Sequence, residues 1–217
     1  NGPKTEKKEV IPEFHFKEIA EIEREMVSLV QQLKEKIEHG EYDTLISDDV
    51  GGRIPTLILR KIIKELNPTQ KIETFFVASG KTYFPTSRDT EKYEKLQEYL
   101  KKIVGKTHKV LIVTQFIFTG KTLIKLADAL KEAGVDDFDM ATVDAMPHFE
   151  EDALLRKALG DGNLYVGDEV FHIFREEHEK FSGVRKTKEY VPYPSRMIDV
   201  ITKEGRELSL EEWREIF

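Results

Sequence analysis

The chain of 217 residues contains no cysteine, which excludes disulfides, thiolate catalysis and every metal site that needs a thiolate. It has no apolar run approaching the roughly 20 residues of a membrane-spanning helix, and no signal-peptide pattern opens it. These absences lead us to expect a cytoplasmic protein that does not enter a membrane. An excess of positive charge is also missing: 34 Lys and Arg stand against 41 Asp and Glu, a net charge of −7. A protein that holds nucleic acid by its overall field needs the opposite balance, so strong nucleic-acid binding is not expected. A local anion site built from backbone amides remains compatible with an acidic chain. Apolar residues make up only 39% of the sequence and charged ones 35%, so a core must come from short dense runs such as Lys109-Val110-Leu111-Ile112-Val113.

Residues 1–12 read as a flexible, solvated tail ahead of a single domain over 13–217. Phe16, Ile19, Ala20, Met26, Leu29, Val30, Leu33 and Ile37 recur at helical spacing, which predicts a helix from Phe16 to His39 with Gly40 as its stop. Thr44-Leu45-Ile46 reads as a strand ending near Ser47, followed by a loop, Asp48 to Gly52, and a helix, Ile54 to Leu66, with Pro55 in its first turn. Ile72 to Ala78 reads as a strand, Ser79 to Asp89 as a polar stretch, and Thr90 to Val104 as a charged helix. Lys109 to Val113 is apolar enough for a strand covered on both faces. A loop over Gln115 to Thr119, a helix from Gly120 to Ala133 and a strand from Phe138 to Val143 complete a core of residues 40–145, ahead of a C-terminal elaboration over 146–217. The alternation implies an α/β fold, a Rossmann-like or flavodoxin-like parallel sheet of about five strands with helices on both faces. In such sheets ligands sit beyond the carboxyl ends of the strands. Both glycine-bearing loops, Gly51-Gly52 and Thr119-Gly120, are expected on that rim.

The segment with the clearest chemistry is Thr119-Gly120-Lys121-Thr122, which follows a buried strand and opens a helix. Helix N-termini carry unpaired amide donors and a positive dipole end, so they bind phosphate. Glycine lets the backbone come close to the ligand. The loop is not a Walker A motif, because the glycine required five residues before the Gly-Lys pair is replaced by Gln115. Ser79-Gly80-Lys81-Thr82 fails in the same way, with Phe75 at that position.

Val110-Leu111-Ile112-Val113, two residues, three spacers and then Thr119-Gly120-Lys121-Thr122 resembles the phosphoribosyl-pyrophosphate (PRPP) signature of type I phosphoribosyltransferases. The resemblance implies that fold, with Thr119, Gly120, Lys121 and Thr122 holding a 5′-phosphate. Asp48-Asp49-Val50-Gly51-Gly52-Arg53 resembles the family's pyrophosphate loop, which implies that role for Asp49, Val50, Gly51, Gly52 and Arg53. The family's two acidic residues, which hold the ribose hydroxyls directly or through magnesium, correspond here to Thr114 and Gln115. The base-contacting aspartate of purine-salvage members corresponds to Phe118. Three carboxylates are thus replaced by neutral side chains. Gln115 can hydrogen-bond ribose hydroxyls but supplies no charge to a cation, and Phe118 can stack or seal a pocket. This argues against magnesium as a cofactor unless Asp48 and Asp49 act as substitute ligands. The resemblance also implies a homodimer.

Lys81, Tyr83 and Arg88, within Ser79 to Arg88, occupy the place of the family's lid and read equally well as a solvated loop. Basic Phe181 to Lys188 reads as a substrate-pocket hood or as a surface loop. The six histidines are scattered; His172 and His178 do not make a helical metal pair, and His148 alone follows a strand end. The expected function is binding of a 5′-phosphorylated ribose ligand, PRPP or a nucleoside monophosphate, with weak or atypical phosphoribosyl transfer. The alternatives are a non-catalytic ligand sensor or assembly protein on the same fold, and a doubly wound nucleotide hydrolase with a metal on Asp48 and Asp49.

Overall fold

Val110, Leu111, Ile112 and Val113 are all fully buried, yet they face opposite ways. Val110 and Ile112 enter one hydrophobic layer and Leu111 and Val113 another. Successive side chains of a strand point to opposite faces, so a continuous apolar run is what a strand needs when helices cover both of them. The computed structural model describes residues 19, 22–48, 51–77, 87–105, 109–146 and 153–168, the side chains of 87–92 excepted. Within them the chain runs α1 (Glu23–Glu38), β1 (Thr44–Asp48), α2 (Arg53–Leu66), β2 (Glu73–Val77), α3 (Ser87–Ile103), β3 (Val110–Ile117), α4 (Lys121–Glu132), β4 (Phe138–Ala145), α5 (Ala153–Leu159) and β5 (Leu164–Asp168).

The five strands are all parallel, in the order β2-β1-β3-β4-β5. This is the flavodoxin-like order, in which the winding reverses between β1 and β3. Right-handed crossovers then place α2 on one face of the sheet and α3, α4 and α5 on the other. The two cores have that division. Leu29, Leu33 and Ile37 of α1 and Leu59 and Ile63 of α2 pack on Leu45, Leu111, Val113 and Val143. Leu96 and Leu100 of α3, Leu126 and Leu130 of α4 and Leu155 and Leu159 of α5 pack on Ile46, Ile112, Met140 and Val166. Each fully buried leucine contributes about 2 kcal/mol by removal of its side chain from water. α1 is also tied to the edge strand β5: Gln32 Nε2 donates to Val166 O at 2.7 Å, and Arg24 pairs with Asp168.

The structure redraws several expected boundaries. α1 starts at Glu23 behind a turn at Ile22, whose amide donates to Ile19 O at 3.2 Å; Ile19 is itself helical, and the expected start at Phe16 lies outside the described residues. α3 starts at Ser87 and not Thr90, because Ser87 and Asp89 favour a helix start as readily as a loop. β3 runs on to Ile117 through Thr114, Gln115 and Phe116, which the sequence places in a loop from Gln115 onward. β4 lengthens in step. Phe116 is in register with Asp144 and Ile117 with Ala145, and the Met146 amide donates to Ile117 O at 3.0 Å. The neighbouring strand satisfies the backbone there, so polar residues at the strand end cost no ladder hydrogen bond.

A buried polar cluster lies at the opposite, amino end of the strands. The Asp139 carboxylate, 1% exposed, accepts from the Tyr42 hydroxyl at 2.6 Å and from the Asn163 amide at 2.7 Å. The ammonium groups of Lys36 and Lys109 stand 3.4 and 3.6 Å away. Burial alone would push this carboxyl up, but the Tyr42 and Asn163 hydrogen bonds and the two cations outweigh it and hold it below the usual carboxylate range. Burial, reinforced by the hydrogen bond to Asp139, drives the Tyr42 phenol far above its ordinary value. With each group paired, the cluster fastens α1 and the entry to β1 onto β4.

Candidate ligand site

Because the winding reverses between β1 and β3, the loops leaving these two strands diverge and a crevice opens beyond their carboxyl ends. The first loop is fixed by contact. A Cβ on Gly52 would stand 2.1 Å from Ser47 Oγ, 2.6 Å from Val113 O and 2.7 Å from Asp48 Oδ1. The chain therefore crosses directly over the end of β1 and against Val113 in the middle of β3, where there is room for hydrogen only. A Cβ on Gly51 would lie 3.2 Å from Asp48 Oδ2 and 4.0 Å from Gln115 Cβ. Gln115 of β3 is thus brought beside the glycine loop of β1, an adjacency across more than sixty residues of chain. Next in the chain, Arg53 opens α2, and its guanidinium carbon lies 4.5 Å from the centre of the Phe76 ring on β2. A cation–π contact of this kind holds a positive charge at the rim.

The second loop turns at Gly120, the N-cap of α4, with φ 62° and ψ −7°. This left-handed conformation is open to glycine and strained for most other residues. The first intrahelical bond of α4 runs from the Ile124 amide to Gly120 O at 2.9 Å. The amides of Lys121, Thr122 and Leu123 therefore precede any carbonyl one turn back. Neither α2 nor α4 has a side-chain cap hydrogen bond or an acidic residue in its first turn. At the α2 end the Asp48 carboxylate stands beside Gly51 and Gly52, a favourable place for negative charge, whereas the α4 end has neither a side-chain cap nor an acidic residue in its first turn. Thr119, Lys121 and Thr122 are exposed, and Phe118, just before them, is 51% exposed.

Thr114 is buried and Gln115 partly so, both within β3. Asp48 ends β1 on the same rim. One rim carboxylate escapes the sequence reading: Asp144, 5% exposed, near the end of β4 and level with Phe116. The signal for it is an acid closing an apolar strand, Val143-Asp144, as in Ser47-Asp48. Asp49, Val50, Lys81, Tyr83, His148, His172, His178, the 1–12 tail and the basic Phe181–Lys188 segment lie outside the described residues. Arg88 sits in the first turn of α3, not in a loop. Among the described residues no group of three or more His, Asp or Glu stands close enough to hold a metal ion. Asp48 and Asp144 lie on strands separated by β3 and two residues out of level, roughly 9–10 Å across the sheet and a further roughly 6–7 Å along it at the backbone. The neutral Thr114 and Gln115 stand between them. This donor set does not fit a protein-built magnesium cage.

The sequence matches the phosphoribosyl transferase domain family over residues 15–152, more than half of the chain. The chain belongs to the phosphoribosyl transferase domain family. Among solved structures it is similar to the purine phosphoribosyltransferase from Pyrococcus horikoshii Ot3, with 18% identity, coverage of 72% of this chain and 94% of that one, and a TM-score of 0.41. No curated protein matches the sequence. In this phosphoribosyl transferase domain, no helix among the described residues is long and apolar enough to cross a membrane.

Proposed function

We propose that the domain binds a 5′-phosphorylated ribose ligand, PRPP or a nucleoside monophosphate, in the crevice between the β1 and β3 loops. The observation that carries the reading is the amide end of α4 at Gly120, which has no side-chain cap and no acidic residue in its first turn and follows β3, one of the two strands at which the winding reverses. The amides of Lys121 and Thr122 and the hydroxyls of Thr119 and Thr122 serve the 5′-phosphate. Gly51, Gly52 and Arg53 serve a second anionic group, with Asp49 and Val50 completing that loop. Gln115, beside Gly51, serves the ribose hydroxyls together with Thr114. Magnesium is not a required cofactor in this reading. Any cation arrives on the ligand's own phosphates, with Asp48 or Asp49 at its edge.

Transfer of the ribosyl group from PRPP calls for stabilising an oxocarbenium-like charge at the anomeric carbon. Thr114 and Gln115 bring no negative charge to it. That neutrality favours a second reading, a ligand sensor or assembly protein that keeps the phosphate loop without fast transfer. Thermal unfolding with PRPP and with nucleoside monophosphates, each with and without magnesium, tests the proposal. A ligand at a hundred times its dissociation constant stabilises by about 2.7 kcal/mol. Equal stabilisation with and without magnesium is expected; no stabilisation by any of these ligands overturns the proposal.

A further inference from the structure

We infer that Phe76 is a positioning residue: its ring fixes the Arg53 guanidinium at the rim, so that the β1 loop meets the second anionic group of the ligand with a preset cation. This rests on the reading of Arg53 above and adds to it a residue of β2 that lies outside both glycine loops. Three observations lead to Phe76. It is half-buried, yet it belongs to neither of the two hydrophobic layers that cover the sheet. It is the cross-strand neighbour of Ser47, and paired residues of parallel strands carry their side chains on the same face. The Arg53 guanidinium carbon stands 4.5 Å from its ring centre, well within the reach of a cation–π contact.

The backbone brings the two together. Gly52 lies against Ser47 Oγ, and Arg53, one residue on, reaches the ring beside Ser47 on β2. The position is electrostatically costly. Arg53 is the first residue of α2, where the positive end of the helix dipole disfavours a cation. The negative face of the Phe76 ring offsets part of that repulsion. A ring also differs from a carboxylate as a partner. It attracts the guanidinium without taking any of the N–H donors that form a fork for phosphate oxygens. An arginine held in this way loses less rotamer freedom when an anion arrives. The Asp48 carboxylate beside Gly51 and Gly52 repels such an anion, which makes a fixed cation at Arg53 the more necessary.

Calorimetry on the full chain with PRPP and with ribose 5-phosphate, which lacks the second anionic group, tests the inference. PRPP is expected to bind more tightly than ribose 5-phosphate. Phe76→Leu should weaken PRPP about threefold to tenfold, the scale of a cation–π contact, and leave ribose 5-phosphate unchanged. Phe76→Tyr, which keeps the ring, should bind PRPP as the parent does. In an Arg53→Ala background Phe76→Leu should cost PRPP nothing further, because a positioning residue acts only through its partner. Should Phe76→Leu not fold, Phe76→Ile repeats the comparison with a side chain suited to a strand. The inference is overturned if PRPP affinity survives Phe76→Leu, if Phe76→Tyr is as weak as Phe76→Leu, if both ligands weaken together, or if the loss persists without Arg53. PRPP binding no tighter than ribose 5-phosphate removes the anion role of the β1 loop and this inference with it, whereas no binding of either ligand removes the ribose-phosphate reading as well.

Discussion

The absent Cβ of Gly52 would lie 2.1 Å from Ser47 Oγ, closer than any non-bonded pair of heavy atoms can stand. Gly52→Ala should therefore displace the β1 loop, because Val113 O at 2.6 Å closes the other side. Overpacking of this kind costs about 1–3 kcal/mol. Urea unfolding should show that loss, and adding Ser47→Ala should recover only part of it, since the backbone carbonyl of Val113 cannot be removed. Full recovery in the double variant would mean that the carbonyl contact is not limiting.

Gly120→Val should abolish binding of 5′-phosphate ligands while the fold persists. The φ of 62° at Gly120 is strained for a β-branched residue, at about 1–2 kcal/mol, and the branches would intrude on the α4 amides. Gly120→Asn should retain more affinity than Gly120→Val, because asparagine tolerates the left-handed region better. Calorimetry with a nucleoside monophosphate decides; equal affinity in folded Gly120→Val and the parent would refute the amide cradle.

Restoring the missing acid should change the cation requirement. Gln115→Glu places a carboxylate beside Gly51 and Asp48, where it repels an anionic ligand unless a divalent cation intervenes. PRPP affinity is expected to be indifferent to magnesium in the parent and to become magnesium-dependent in the variant. In the parent, release of pyrophosphate from PRPP with common purines and pyrimidines should be undetectable or far below the rates of active phosphoribosyltransferases. Fast magnesium-dependent release in the parent would contradict both expectations and direct attention to Asp48 and Asp49.

Acid should unfold the domain partly through Asp139. Its carboxyl is held below the usual range in the folded state, so the unfolded chain binds a proton first as pH falls. The stability this group contributes is complete above its ordinary value, about 3.9, and is lost as pH falls through that value toward the lower folded one. Asp139→Asn should flatten this part of the stability profile. At neutral pH it should cost about 1.5–3 kcal/mol, because the Tyr42 hydroxyl and Asn163 amide lose a charged acceptor, while Lys36 and Lys109 keep Glu41 and Asp137 as partners. Urea midpoints from about pH 2 to about pH 7, a range that brackets an ordinary carboxylate and the region below it, give the comparison. An unchanged acid limb would exonerate this carboxylate.

Tyr42→Phe removes the hydroxyl that donates to Asp139 at 2.6 Å and keeps the buried ring. A hydrogen bond to a charged group contributes about 1.5–3 kcal/mol. The variant should lose that much at neutral pH and less in acid, where the carboxylate begins to protonate. A loss that does not diminish in acid would show that the ring's packing, and not the hydrogen bond, was disturbed.

The sequence by itself determined the class of fold and the helix start at the Thr119–Thr122 loop. A run such as Val110 to Val113 has one comfortable solution, a strand covered on both faces, because each alternate side chain needs its own apolar layer. Thr119-Gly120-Lys121-Thr122 directly after it specifies a helix start with free amides, since capping and dipole effects are local and act within one turn. Only the tertiary structure decided what depends on neighbours far away in the chain. The extension of β3 through Thr114 and Gln115 required β4 to supply its hydrogen bonds, and no local propensity reports on a partner strand. The need for glycine at position 52 arises from Ser47 and Val113, the latter some sixty residues downstream. Asp139 reads in the sequence as one acid among 41 Asp and Glu. Its burial, and its depressed proton affinity, exist because folding brings Tyr42, Lys36, Lys109 and Asn163 around it. Electrostatic and steric terms fall off over a few ångströms in space, not in sequence, and only the packed sheet sets those distances.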